Sequence, residues 1–454
     1  MRIFGVRTLD FGVLSCLIWA VAAQPCQAQN PAADAAIQGA LREVSSPRIQ
    51  ATIEKLVSFH TRSTLSAADP TSGQGIGAAR TWIKSEFERY SQACGGCLEV
   101  KADAFVEVAG GRIPKPTEIV NVYAVLRGTD PVEAKRIVLV TGHYDSRDGD
   151  TFDATGYAPG ANDDASGTAV SLECARVLSR YKFPATIIFL TVAGEEQGLN
   201  GSTHFAKVAK EQGWQIEAVL NNDIVGGDRS EGRRPETVRV FSESLPLSAS
   251  DEELHRIRSL GGENDSPSRQ VARYIGETAK EYSTGLNPTL IFRLDRYLRG
   301  GDHSAFNEYG FAGVRFTEYR ENYDRQHQNV RTENGLEYGD LVKFVDFDYV
   351  AKVAQLNAAT LGSLASAPAP PGKVRLVAKE LQNDSTLTWE AVPRAAGYEV
   401  VWRDTSGAEW DHSERVGNVT RATLKLSKDN VIFAVRAVDA AGHKSLAVVP
   451  EPEQ

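Results

Sequence analysis

The chain has 454 residues, enough for two or three domains, and its 42% apolar and 24% charged composition is ordinary for a globular protein. A net charge of -9 and no long basic run exclude nucleic acid and anionic membranes as expected partners. No stretch after the N-terminal segment is apolar enough to span a bilayer.

Residues 1–28 read as a signal peptide. Arg2 and Arg7 form a basic start, Phe11 to Ala23 is a short apolar run, and Cys26-Gln27-Ala28 fits a small-x-small cleavage site. The expectation is export, to the periplasm or the medium. Of five cysteines, Cys16 and Cys26 would leave with this segment. Cys94 and Cys97 in Cys-Gly-Gly-Cys are expected to close a short disulfide loop in an exported protein. Cys174 remains as a buried helical residue.

Residues 31–60 and 78–90 carry helical periodicity, with Ile49, Ile53, Leu56 and Val57 on one face. Alternation then predicts strands at 104–108 and 118–126. Arg136-Ile-Val-Leu-Val-Thr141 reads as a fully buried strand and ends on Gly142-His143-Tyr144-Asp145. A Gly- and Asp-rich loop leads to Gly160-Ala-Asn-Asp-Asp-Ala-Ser-Gly167 and a helix. The strand Ala185 to Val192 ends on Ala193-Gly-Glu-Glu-Gln-Gly198, and a helix follows. Ala218 to Val225 is a strand that carries Asp223 near its end. Residues 226–267 are polar and read as loops, before a helix at 268–280. A strand at 310–317 and a long helix at 344–365 close the domain. The class is α/β, a mainly parallel central sheet with helices on both faces.

Residues 366–372, rich in Pro and Ala, read as a semi-rigid linker. Residues 373–454 alternate short strands with turns and read as an all-β sandwich. Trp389, Tyr398 and Arg436-Ala-Val-Asp439 with Gly442 make it resemble a fibronectin type III module. Its expected role is a spacer, a binder of carbohydrate or a surface polymer, or a removable segment. The linker predicts that deleting 366–454 leaves a folded, active remainder.

His143, Asp163, Glu196, Asp223 and a late histidine each follow a predicted strand or a loop beside one. That places them on the rim where α/β sheets bind ligands. Imidazole with carboxylate suits zinc. Three carboxylates are too many for one catalytic zinc and suit two metals, about 3.5–4 Å apart, sharing a carboxylate.

His143-Tyr-Asp145, Gly160 to Gly167, Gly194-Glu-Glu-Gln-Gly198, Asn222-Asp223 and a late histidine, in that order, resemble the secreted co-catalytic di-zinc aminopeptidases. That superfamily includes di-zinc carboxypeptidases and glutaminyl cyclases. The resemblance covers roughly residues 40 to 365. It implies two Zn2+ per chain: His143 and Asp223 on one, Glu196 and a late histidine on the other, Asp163 bridging. It also implies Glu195 as general base, Asp145 orienting His143, and a cis peptide after Asp163. Two histidines compete for the fifth place. His327 follows the strand at 312–317 and is expected to be the ligand. His303 precedes it, inside Asp302-His-Ser-Ala-Phe306, and is expected to support a ligand or face substrate.

The resulting expectation is an aminopeptidase acting on peptides. A one-zinc glutaminyl cyclase would use Asp163, Glu196, the late histidine and Glu195, but in that family a tryptophan precedes the histidine, where this chain has Gln326. The same site chemistry leaves a carboxypeptidase open, and a degenerate fold of this kind could serve as a non-catalytic peptide-binding protein. Arg296 and Arg299 are equally readable as substrate-facing or as surface residues.

Overall fold

Eight strands form one sheet, and its four central strands run parallel. The computed structural model describes Met1, residues 34–379 and residues 382–453. Except for Met1, the expected signal segment therefore lies outside the described residues.

Three helices come first: α1 (Ala35–Glu43), α2 (Ser46–Val57) and α3 (Gly75–Ala93). Asp34 caps α1 by accepting from the Ala36 and Ile37 N–H groups. Ile49, Ile53 and Leu56, three and four apart, give α2 its buried face. Cys94 and Cys97 follow α3 and are disulfide-bonded; Cys174 is free and buried. Next come the antiparallel strands β1 (Leu98–Glu107) and β2 (Thr117–Leu126), then β3 (Arg136–His143), α4 (Ala165–Leu178) and β4 (Thr186–Val192). A one-turn helix α5 (Glu195–Gly198) precedes α6 (Asn200–Glu211) and β5 (Gln215–Asn222). The order continues with β6 (Thr237–Ser242), α7 (Asp251–Ser259), α8 (Pro267–Tyr282), β7 (Asn287–Ile291), α9 (Asp302–Glu308) and β8 (Gly313–Glu318). A hairpin of β9 (Arg331–Glu333) and β10 (Leu336–Tyr338) leads to α10 (Phe347–Ser366).

The sheet order is β1-β2-β4-β3-β5-β8-β6-β7. Every residue of β4 is buried, as expected for a β-branched run covered on both faces. The carboxyl ends of β4, β3, β5 and β8 lie side by side and deliver the loops that carry the candidate ligands.

The segment 226–267 departs from its reading as loops, because it contains β6 and α7. The strand is only six residues long. The helix buries none of its residues, so it shows no apolar stripe. It forms from a Ser250 cap, acids in its first turn and arginines in its last.

The C-terminal strands are β11 (Arg375–Val377), β12 (Ser385–Thr388), β13 (Gly397–Asp404), β14 (His412–Gly417), β15 (Arg421–Leu424), β16 (Val431–Val438) and β17 (Glu451–Glu453). They form a four-stranded and a three-stranded sheet around Leu387, Trp389, Tyr398, Val400, Phe433 and Val435. This sandwich rests on α8. Arg403 pairs with Asp265 at 2.7 Å, and Arg436 bridges Glu399 and Glu277, each at 2.5 Å. Arg273 donates to the Ala408 carbonyl, and Tyr274 to that of Lys444. Leu446 joins the main core. Ala367 is fully buried, and its carbonyl accepts from Arg136 at 2.8 Å. The stretch expected to be a tether is thus packed against the larger part. That contact argues against an independent remainder after deletion of 366–454.

Candidate metal centre and active site

The site is built where the central strands end. Gly194 turns the chain out of β4 at φ 75°, and a Cβ there would lie 3.0 Å from Ile119 Cδ1. Glu195 and Glu196 follow in the first turn of α5. Asp164 caps α4 through Gly167 N–H at 2.8 Å, and its other oxygen accepts the His143 N–H at 3.0 Å. This ties the 160–164 loop to the end of β3. Gly167 lets α4 start against β5, since a Cβ would meet the Asn222 carbonyl at 2.0 Å. The Asp163–Asp164 peptide is cis.

Asp163 lies between two imidazoles. Its Oδ1 is 3.1 Å from His143 Nε2, and its Oδ2 is 2.9 Å from His327 Nε2. Asp223 Oδ1 is 3.9 Å from His143 Nε2, and Glu196 Oε1 is 3.1 Å from His327 Nε2. Donor atoms fall into two groups with metal-site spacing: His143, Glu195 and Asp223, then Asp163, Glu196 and His327. Asp145 backs His143, with its Oδ1 3.5 Å from Nδ1 and its carbonyl at 3.2 Å. The other Asp145 oxygen accepts from Thr64 Oγ1 and the Glu196 N–H. His303 is not brought to this cluster. It is fully buried, its Nε2 lies 2.9 Å from the Leu294 carbonyl, and Asp295 is at 3.8 Å.

So many buried carboxylates demand positive charge. Burial drives Glu195 well above the usual carboxylate range, with repulsion from Asp223, Glu196 and Asp302 adding to it against the pull of His143. Burial resists protonation of His143, yet Glu195, Asp145, Asp163 and Asp223 raise it well above its ordinary value. Burial likewise opposes protonation of His327, but Glu196 and Asp163 outweigh it and raise the ring to about 10. Arg147 acts the other way on that ring. Its Nη2 lies 2.6 Å from His327 Nδ1, so a second positive charge stands beside the imidazole. A dication meets the same demand for positive charge as these imidazole protons. The donor set fits it. Among the described residues His143 Nε2 has no hydrogen-bond partner, although it is buried and Asp163 lies close by, as two ligands of one ion do.

Several supporting residues carry no sequence signal. Asp340 accepts the N–H groups of Asn162 and Asp163 at 2.8 and 2.7 Å, and burial first raises its own pKa to about 7. Arg62, fully buried, holds the Pro159 and Gly160 carbonyls. Arg315 pairs with Asp223 at 2.9 Å. Gln326 donates to Asp163 Oδ2 at 3.0 Å, and Arg147 to Glu196 Oε2 at 2.8 Å. Above these groups opens a cleft of about 460 Å³, lined by Asp163, Glu195, Glu196, Asp223, His327 and several arginines.

Clustered imidazoles and carboxylates at the carboxyl ends of a mainly parallel sheet define a metallohydrolase site. Residues 121–344 match the sequence profile of Peptidase family M28. A probable zinc metalloprotease of Leptosphaeria maculans is 47% identical over 428 residues, 93% of this chain and 98% of that protein. One from Pyricularia oryzae is 47% identical over 438 residues, 94% of this chain and 86% of its own. The chain belongs to peptidase family M28, and the relatives it matches are named as probable zinc metalloproteases. Among solved structures, the LapA aminopeptidase of Legionella pneumophila shares the fold, with a TM-score of 0.51 at 23% identity over 73% of this chain and 74% of its own. LapB of the same organism has a TM-score of 0.52 at 20% identity over 73% and 75%.

Proposed function

We propose that this zinc metalloprotease is an exported aminopeptidase that uses two zinc ions. The observation that carries the metal count is Asp163, with one oxygen toward each imidazole. In this reading His143 and Asp223 hold one zinc, Glu196 and His327 the other, and Asp163 both. The bound ions would polarise the scissile carbonyl and acidify the attacking water. Glu195, beside but outside this set, takes the proton of that water and passes it to the leaving amine.

A cleft of about 460 Å³ suits a short stretch of peptide, which favours an exopeptidase. Its carboxylate floor suits a free α-ammonium, which favours the amino end. LapA carries the aminopeptidase name, and that activity is proposed here for this chain. Export rests on the sequence of residues 1–28, and the fibronectin-like reading of the C-terminal sandwich on its strand pattern.

The test is a metal count on the purified mature protein with a panel of aminoacyl chromogenic substrates and their N-acetylated forms. The expected result is two zincs and hydrolysis only with a free amine. One zinc, with cyclisation of N-terminal glutamine, would instead establish a glutaminyl cyclase.

A further inference from the structure

The cleft holds a charge pattern that the proposed chemistry leaves unused. Four arginines line it, Arg112, Arg147, Arg296 and Arg299, beside four carboxylates, Asp163, Glu195, Glu196 and Asp223. Two dications would balance the carboxylates, and the arginines remain. Two of these are committed elsewhere. Arg147 is held by Glu196 and His327. Arg296 is held by Asp295, Glu321 and the Gly300 carbonyl.

Arg112 and Arg299 keep donors in reserve. Arg112, in the β1–β2 connection, donates only Nη1, to the Glu196 carbonyl at 2.9 Å. Arg299, between β7 and α9, donates only Nη1, to Glu321 and Gln326 at 3.3 and 3.1 Å. The remaining N–H groups of both make no hydrogen bond among the described residues, and the Arg299 side chain is 28% exposed. Each is anchored beside a candidate ligand: Arg112 on the backbone of Glu196, and Arg299 on Gln326, which precedes His327 and donates to Asp163. A guanidinium with an open edge, fixed through one nitrogen, presents parallel donors that match a carboxylate.

We propose that Arg112 and Arg299 form a carboxylate-recognition subsite, so that the preferred substrates carry negative charge next to the scissile bond. This rests on the peptidase reading above. The carboxylate comes from an acidic side chain or from the free C-terminus of a short peptide.

The test uses the zinc-loaded full chain and five peptides: Leu-Glu-amide, Leu-Gln-amide, Leu-Lys-amide, Leu-Leu and Leu-Leu-amide. Leu-Glu-amide is expected to exceed Leu-Gln-amide in kcat/KM by about ten-fold, mostly through KM, with the gap closing at high salt. The ratio of Leu-Leu to Leu-Leu-amide reads recognition of a free terminus in the same way. Arg112→Gln and Arg299→Gln should each shrink these ratios, and Arg112→Glu with Arg299→Glu should invert the preference toward Leu-Lys-amide. Calorimetric binding of both pairs to the Glu195→Gln protein reads the subsite without turnover. Equal binding within both pairs, Leu-Glu-amide with Leu-Gln-amide and Leu-Leu with Leu-Leu-amide, or equal kcat/KM within both pairs in the wild type, would overturn the proposal. Tighter binding of the acidic peptide with no hydrolysis of any peptide would support the subsite and sink the peptidase reading.

Discussion

Asp340 holds Asp163 from behind, its Oδ2 accepting the Asp163 backbone N–H at 2.7 Å. The same carboxylate accepts from Asn162, so one buried side chain fixes the loop that presents the shared candidate ligand. Asp340→Ala leaves two buried donors unsatisfied, at about 1–3 kcal/mol each. We expect zinc affinity to fall about 10–100-fold. Zinc retained at fixed free zinc measures this, and unchanged retention would remove Asp340 from the support of the site.

Glu195→Gln should keep both metals and lower kcat by about 10²–10⁴-fold. Metal analysis paired with steady-state kinetics checks both halves. Full activity with metal bound would show that another group moves the proton.

His327→Ala should lose one zinc, because its Nε2 lies within 3.1 Å of both Asp163 and Glu196. His303→Ala should keep both, because that ring faces the Leu294 carbonyl and Asp295. Zinc titration of the two variants decides, and the reverse pattern would relocate the ligand.

Removing residues 368–454 uncovers Arg273 and Tyr274 of α8 and takes Leu446 out of the main core. The loss also leaves the guanidinium of Arg273 without its Ala408 acceptor. We expect a lower thermal midpoint and aggregation on heating. An unchanged midpoint would show that the sandwich contributes nothing to the stability of the rest.

His443 joins the sandwich to the cap of α1, 2.9 Å from both Asp439 and Asp34. The hydrogen bond with Asp439, and then Asp34, raises His443 above its ordinary 6.5, against burial. That contribution is complete below pH 6.5 and is lost as pH rises through the folded value. Burial pushes Asp34 and Asp439 up, but hydrogen bonds from His443 and nearby N–H groups leave both below the ordinary 3.8, so their share fades in stronger acid. His443→Gln should therefore lower the midpoint of the zinc-loaded protein more at pH 5.5 than at pH 9. An equal effect at both values would mean that the contact is not ionic.

The central sheet was legible because 136–141 and 185–192 are mainly apolar, β-branched runs, each followed within three residues by histidine or glutamate chemistry. His143, Glu195 and Glu196 stood out by residue type at those ends, Asp163 in a Gly-rich loop, and Asp223 and His327 at or after later strands, with their roles implied by the family resemblance. Asp340 did not, since its partner Asp163 lies 177 positions away and no local period links them. Arg62 reads as a surface cation until burial shows otherwise. The strands β6 and β7 are too short to declare themselves, and β7 begins Asn-Pro, a turn signal. The docking of the sandwich on α8 was hidden for a related reason. Arg273 and Arg403 meet at Asp265 only in the folded chain, and arginine on a helix reads as solvent-facing.

The clamp of Asp340 on Asp163 also sets a schedule for synthesis. At about 5–20 residues per second, the 177 residues between them take roughly 9 to 35 s to emerge after Asp163. Through that interval the growing polypeptide has His143 and Asp163, but first lacks His327 and then the group that steadies the loop. Until residue 340 has emerged, the loop that presents Asp163 lacks the carboxylate that fixes it.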